Sequence, residues 1–157
     1  MKSASISDIK KELTNLEAKE LLDFCLRLAK YKKDNKELLG YLLFESHDEH
    51  AYVQKIKAVI DEQYDEINKS NLYWAKKSLR KILRNTNKYI CYSGKKETEI
   101  ELLIYFCSKL RDSGISYQNS TALTNLFHGQ IKKINKVLDS LHEDLRYDYQ
   151  KEVEELM

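Results

Sequence analysis

Residues 72–92, LYWAKKSLRKILRNTNKYICY, decide the fold class. On an α-helical wheel, Leu72, Ala75, Leu79, Ile82, Leu83, Thr86, Tyr89 and Ile90 share one arc. Lys76, Lys77, Arg80, Lys81, Arg84 and Lys88 cover the opposite arc. Such a separation is the signature of a helix with one face on a core and the other in water. Lys77, Lys81, Arg84 and Lys88 form a stripe about 16 Å long at the rise of an α-helix. Tyr73, Trp74 and Tyr92 lie in or beside the cationic arc.

The stretch sits inside a thirty-residue window, 67–96, that holds nine bases and no acid. Residues 1–66 carry a net charge of −3 and residues 97–157 a net charge of −4, so the whole chain is only +2. A nearly neutral chain thus keeps a cationic segment between two acidic ones, an asymmetry that suits anions or an acidic partner.

Outward from this helix, the chain reads as all-α throughout. It contains no proline and four glycines in 157 residues, and proline is the residue that helix interiors exclude most strongly. The length fits a single helical domain, 1–157. The expected architecture is a compact bundle or a short HEAT-like helical array of about six to eight helices, with a long C-terminal helical segment. The HEAT-like element is spacing alone, because no signature residues recur.

Ser7 or Asp8 is the expected cap of a first helix bearing Ile9, Leu13 and Leu16. Thr14-x-x-Glu17 and Asp34-x-x-Glu37 read as capping boxes opening a second and a third helix. The second helix is expected to turn Leu21, Leu22, Cys25, Leu28 and Ala29 inward. Ser46-x-x-Glu49 starts a fourth helix or continues the third. Ser70 or Asn71 caps the cationic helix and Gly94 stops it. Residues 102–107, LLIYFC, are apolar all round, which places the sixth helix at the centre. Ser120 caps the last segment, in which Phe127, Ile131, Ile134, Leu138, Leu141 and Leu145 step as a heptad seam. That seam serves packing inside the domain or, in a homodimer, self-association; the chain is expected as a monomer or a dimer through 127–145.

No catalytic motif emerges, and an enzyme is not expected. His47-Asp48-Glu49-His50 is the only metal-like cluster, and it lacks the two histidines four apart of a zincin. A metal-dependent enzyme using Glu45, His47 and His50 ranks below a non-enzymatic reading, and no cofactor or metal is expected. Cys25, Cys91 and Cys107 are odd in number and far apart, so they read as small hydrophobes in a reducing, cytoplasmic setting. No run is long and apolar enough to cross a bilayer, and Asp8, Lys10, Lys11 and Glu12 interrupt any signal-peptide core; no membrane partner is expected.

The expected function is a helical binding or scaffold module. Trp74, Lys77, Arg80, Lys81, Arg84 and Lys88 are its binding residues, and an acidic protein or peptide is its partner. The alternative is a backbone-directed nucleic-acid binder using the same face, with flat rings for unstacked bases. A pI near 8.3 lies below the usual range of dedicated nucleic-acid domains. Opposing both is internal neutralisation, since Asp61, Glu62, Asp65, Glu66, Glu97, Glu99, Glu101 and the acidic residues of 143–157 could face the stripe. Of the eleven tyrosines, Tyr73, Tyr92, Tyr147 and Tyr149 are expected to face outward.

Overall fold

A computed structural model describes residues 2–157. Among them all regular structure is helical, with eight α-helices and no strand. The helices are α1 (Ile6–Thr14), α2 (Ala18–Tyr31), α3 (Lys33–Gly40), α4 (Glu49–Asp65), α5 (Leu72–Ser93), α6 (Lys96–Asp112), α7 (Thr121–Leu138) and α8 (Glu143–Leu156). A π-helical turn, Tyr41–Glu45, follows α3, and a 3-10 turn, Tyr117–Asn119, precedes α7. The chain divides into two compact units, one ending at Phe44 and the other running from Glu45 to Met157.

The second unit is a helical bundle around α6, which packs against α4, α5, α7 and α8. Its apolar run explains the position: Leu102, Leu103, Phe106, Cys107 and Leu110 are all fully buried. Around it the 3.6-residue period selects Val53, Ile56 and Ile60 from α4, and Leu79, Ile82 and Ile90 from α5. It selects Leu123, Ile131 and Ile134 from α7 in the same way. Each such side chain contributes about 1.5–3 kcal/mol by leaving water. Polar groups inside are satisfied. The Tyr64 hydroxyl donates to the Phe106 carbonyl at 3.0 Å, and the Thr86 hydroxyl to the Ile82 carbonyl at 2.9 Å. No fully buried side-chain polar atom among the described residues lacks a partner.

The C-terminal segment is two helices. At 139–142 the backbone N–H groups of Asp139, Ser140 and Leu141 close onto the last turn of α7, and α8 restarts after His142. Phe127, Ile131, Ile134 and Leu138 are buried in the unit's own core, whereas Leu141 is half-buried and Leu145 is exposed. The heptad seam therefore ends at Leu138 and is no free dimer surface.

In the first unit, α2 and α3 pack together, and the Asn35 amide donates to the Leu28 carbonyl at 2.8 Å across their junction. Three caps differ from expectation. Ser5, not Ser7 or Asp8, caps α1 by accepting from the Asp8 N–H. The box of the second helix sits three residues later, on Glu17 and Glu20, because α1 runs on through Thr14, whose hydroxyl donates back to the Lys10 carbonyl. Lys32 rather than Asp34 precedes α3. The larger difference is burial. Leu21 and Ala29 are half-buried, but Leu22, Cys25 and Leu28 face solvent, as no other element of this unit covers them.

Candidate functional site

The cationic helix starts where a short polar side chain can take over the orphan N–H groups of a first turn. Asn71 does this, accepting from the Tyr73 N–H at 2.9 Å and the Trp74 N–H at 3.3 Å. It stops at Gly94, whose φ of 67° is a left-handed conformation that favours glycine. Between these ends, Ala75, Leu79, Ile82, Thr86 and Ile90 hold one face on α4 and α6. That anchorage leaves Lys77, Arg80, Lys81 and Arg84 on the exposed face.

None of Lys76, Lys77, Arg80, Lys81 or Arg84 has a carboxylate within 4 Å among the described residues. Three of the acids that could have neutralised them pair with other lysines. Asp61 pairs with Lys109 at 2.9 Å, Glu101 with Lys57 at 2.6 Å, and Glu99 with Lys133 at 3.3 Å. Helix α8 packs on α6 and α7 rather than on α5. Its Glu152 lies near Glu101, and burial together with that like charge pushes its carboxyl above the ordinary value. Within α5 itself, Lys76–Arg80, Lys77–Lys81, Arg80–Arg84 and Arg84–Lys88 are like-charge neighbours four apart. Each such pair costs about 0.2–0.5 kcal/mol.

The first turn adds aromatic surface. Trp74 is 51% exposed and Tyr73 57% exposed, with their rings edge to face at 5.3 Å. The Lys77 ammonium sits 5.2 Å from the Trp74 ring centroid and 5.8 Å from that of Tyr73. An anionic group arriving at Lys77 would meet an anchor of flat apolar area beside the charge. Lys88 stands apart from the other bases: it is half-buried, 5.7 Å from the Tyr89 ring centroid. Tyr92 is also half-buried, its ring against Tyr89, so the far end of the stripe lacks the outward ring that the wheel suggested. Comparison with protein-family models, with curated proteins and with solved structures returns no match for this chain.

The carboxylates around His47 and His50, both exposed, have structural partners. Glu45 pairs with Lys55, and Asp48 caps α4 by accepting from the Ala51 N–H at 3.0 Å. Glu49 accepts from Ser93 and Thr98 and pairs with Lys95 at 3.2 Å. No three His, Cys, Asp or Glu side chains converge as a metal site among the described residues. Burial pushes the Cys107 thiol up to about 12, the wrong direction for a nucleophile. Cys25 and Cys91 are exposed, not the core hydrophobes that their patterns implied. Tyr147 faces out as expected, but Tyr149 is half-buried.

Sequence reasoning missed the largest feature outside α5. Leu22, Phe24, Leu26, Leu28, Tyr31, Leu42, Leu43 and Phe44 are exposed in the first unit. The available signal was size, since three short helices in so few residues offer little volume in which to bury them.

Proposed function

We propose that this chain is a non-enzymatic binding or scaffold module that takes an acidic protein or peptide segment on the α5 face. Trp74 and Tyr73 anchor one end, and Lys77, Arg80, Lys81 and Arg84 supply the charge. The supporting observation is the pairing pattern: Asp61, Glu99 and Glu101 are matched to other lysines, and Lys77, Arg80, Lys81 and Arg84 are exposed with no carboxylate within 4 Å among the described residues. A bound carboxylate-rich segment relieves the repulsion between neighbouring bases and adds charge-assisted hydrogen bonds to guanidinium and ammonium groups. Lys88 extends the field of the stripe from its half-buried position. Two exposed free thiols, Cys25 and Cys91, suit a reducing compartment such as the cytoplasm.

The test uses Trp74, the only tryptophan, as its own reporter. Poly-glutamate peptide is titrated at low salt while Trp74 emission is followed. The expected result is a saturable change that added salt weakens and that the Lys77→Glu, Lys81→Glu, Arg84→Glu triple variant loses while keeping its helical circular dichroism. No response to the peptide, or an unchanged response in the variant, would reject the reading. A mixed oligonucleotide pool that binds more tightly than the peptide would move the partner class to nucleic acid.

A further inference from the structure

The first unit has helices without a core: no residue of α1, α2 or α3 is buried. Between the end of α2 and the length of α3 runs a groove of about 730 Å³, formed within this unit alone. Leu26, Leu39, Leu43 and Phe44 make its apolar walls, with Leu43 61% and Phe44 71% exposed. Lys30, Lys32, Lys33 and Lys36 line it too, and no acid does. The two kinds of side chain share faces. Leu26 and Lys30 are one turn apart on α2, and Lys33, Lys36, Gly40 and Leu43 follow at steps of 3, 4 and 3 from α3 into the π-helical turn. Lysine and leucine therefore reach the groove together. Lys33 pairs with Glu37 at 3.6 Å, whereas Lys30, Lys32 and Lys36 have no carboxylate within 4 Å among the described residues.

Small residues lie between the walls: Ala29 and Gly40, both half-buried. Glycine inside a helix is destabilising, so its presence needs a reason. The φ of Gly40 is not positive, and a Cβ added there meets no atom within 4 Å. Neither the backbone nor the packing of the described residues thus calls for glycine at this position. A partner helix gains from it, because the distance between packed helices is set by the side chains at their contact. The charge selects what that helix carries. A basic segment is repelled by the lysines, and an acidic one neutralises them. A bilayer surface would meet the same lysines, but it needs neither a groove nor a glycine floor, whereas an amphipathic helix uses both. We infer that this groove docks an acidic amphipathic helix of a partner protein. Its apolar ridge lies between Leu26 and Leu43, and its carboxylates meet Lys30, Lys32 and Lys36. The inference stands on the first unit alone and does not rest on the α5 reading.

The probe is a fluorescein-labelled helical peptide of leucine, alanine and glutamate, with leucines at steps of 3 and 4 and glutamates beside them. Its anisotropy is followed as the full chain is added. Saturable binding that salt weakens is expected for the wild type, and also for the Lys77→Glu, Lys81→Glu, Arg84→Glu variant, in which α5 no longer contributes. In that background, adding Lys30→Glu and Lys36→Glu lowers the affinity about tenfold or more. Gly40→Leu weakens binding to a similar degree without touching a charge, and keeps its helical circular dichroism because the new side chain enters open space. A shuffled peptide of the same composition, with no apolar ridge, binds more weakly than the ordered one. No binding to the α5-reversed variant would overturn the inference and leave the α5 reading to its own test. So would undiminished binding by the Gly40→Leu variant, or equal binding of the shuffled peptide. Capture by phosphatidylserine vesicles through Lys30 and Lys36, with no binding of the peptide, would overturn it in favour of a membrane surface.

Discussion

Tyr105 and Asp61 show how single side chains tune this bundle. The Tyr105 hydroxyl lies 2.7 and 2.8 Å from the two Asp61 carboxylate oxygens, and Lys109 completes the cluster. Burial, together with the Asp61 hydrogen bond and charge, pushes the Tyr105 phenol up to about 12. Burial alone would raise the Asp61 carboxyl, but the hydrogen bonds from Lys109 and Tyr105 outweigh it and hold it below the ordinary value. The signs are opposite for the two groups. The stability that Tyr105 contributes is complete below its ordinary value of 10.0 and is lost as pH rises toward about 12. That from Asp61 is complete above its ordinary value of 3.8 and is lost as pH falls through its lower folded value. Tyr105→Phe should therefore cost about 1.5 kcal/mol at neutral pH. Its deficit against the wild type, measured by urea midpoints, should narrow between pH 10 and about 12. Glu152 runs the other way: raised by burial and by Glu101, it is a net cost once ionised. Glu152→Gln should raise the melting temperature at pH 7 and lose that advantage in acid; a lower melting temperature would contradict the placement of Glu152.

At the scale of elements, α5 is defined by its two ends and two faces. Asn71→Ala removes the acceptor for two first-turn N–H groups and should cost about 1 kcal/mol in chemical denaturation. Gly94→Ala meets open space but a left-handed backbone, and should cost about 1–2 kcal/mol through strain alone. These ends were legible in the sequence because capping is local chemistry, as was Ser120, which accepts from the Leu123 N–H. The caps of α1, α2 and α3 were not, because several Ser, Thr, Asp and Glu residues compete there within a few positions. The cationic face was legible from the wheel. That Lys77, Arg80, Lys81 and Arg84 lack counter-ions was not, since which lysine meets Asp61 or Glu101 depends on how α4 and α6 pack. The exposure of Leu22 and Leu28 was illegible for a related reason: periodicity shows which face is apolar, not whether another element covers it.

For the molecule as a whole, burial is uneven and charge is segregated. The second unit holds its core around α6. Phe106→Ala should cost about 3–5 kcal/mol, read from equilibrium unfolding, because Phe106 is fully buried and the gap cannot collapse against rigid helices. Amide exchange should be slowest in α6 and fastest in α1, following the same gradient of burial. Charge follows the fold as well: acids and lysines pair across α4, α6 and α7, while Lys77, Arg80, Lys81 and Arg84 of α5 have no carboxylate within 4 Å among the described residues. The most direct test of that claim is the melting temperature of the Lys77→Glu, Lys81→Glu, Arg84→Glu variant without any ligand. If Lys77, Lys81 and Arg84 are free of internal carboxylates, the variant melts within about 2 °C of the wild type or above it, since its reversals break no internal ion pair and ease several like-charge contacts. A fall of about 5 °C or more would mean that the bases are neutralised from within, and would contradict the account.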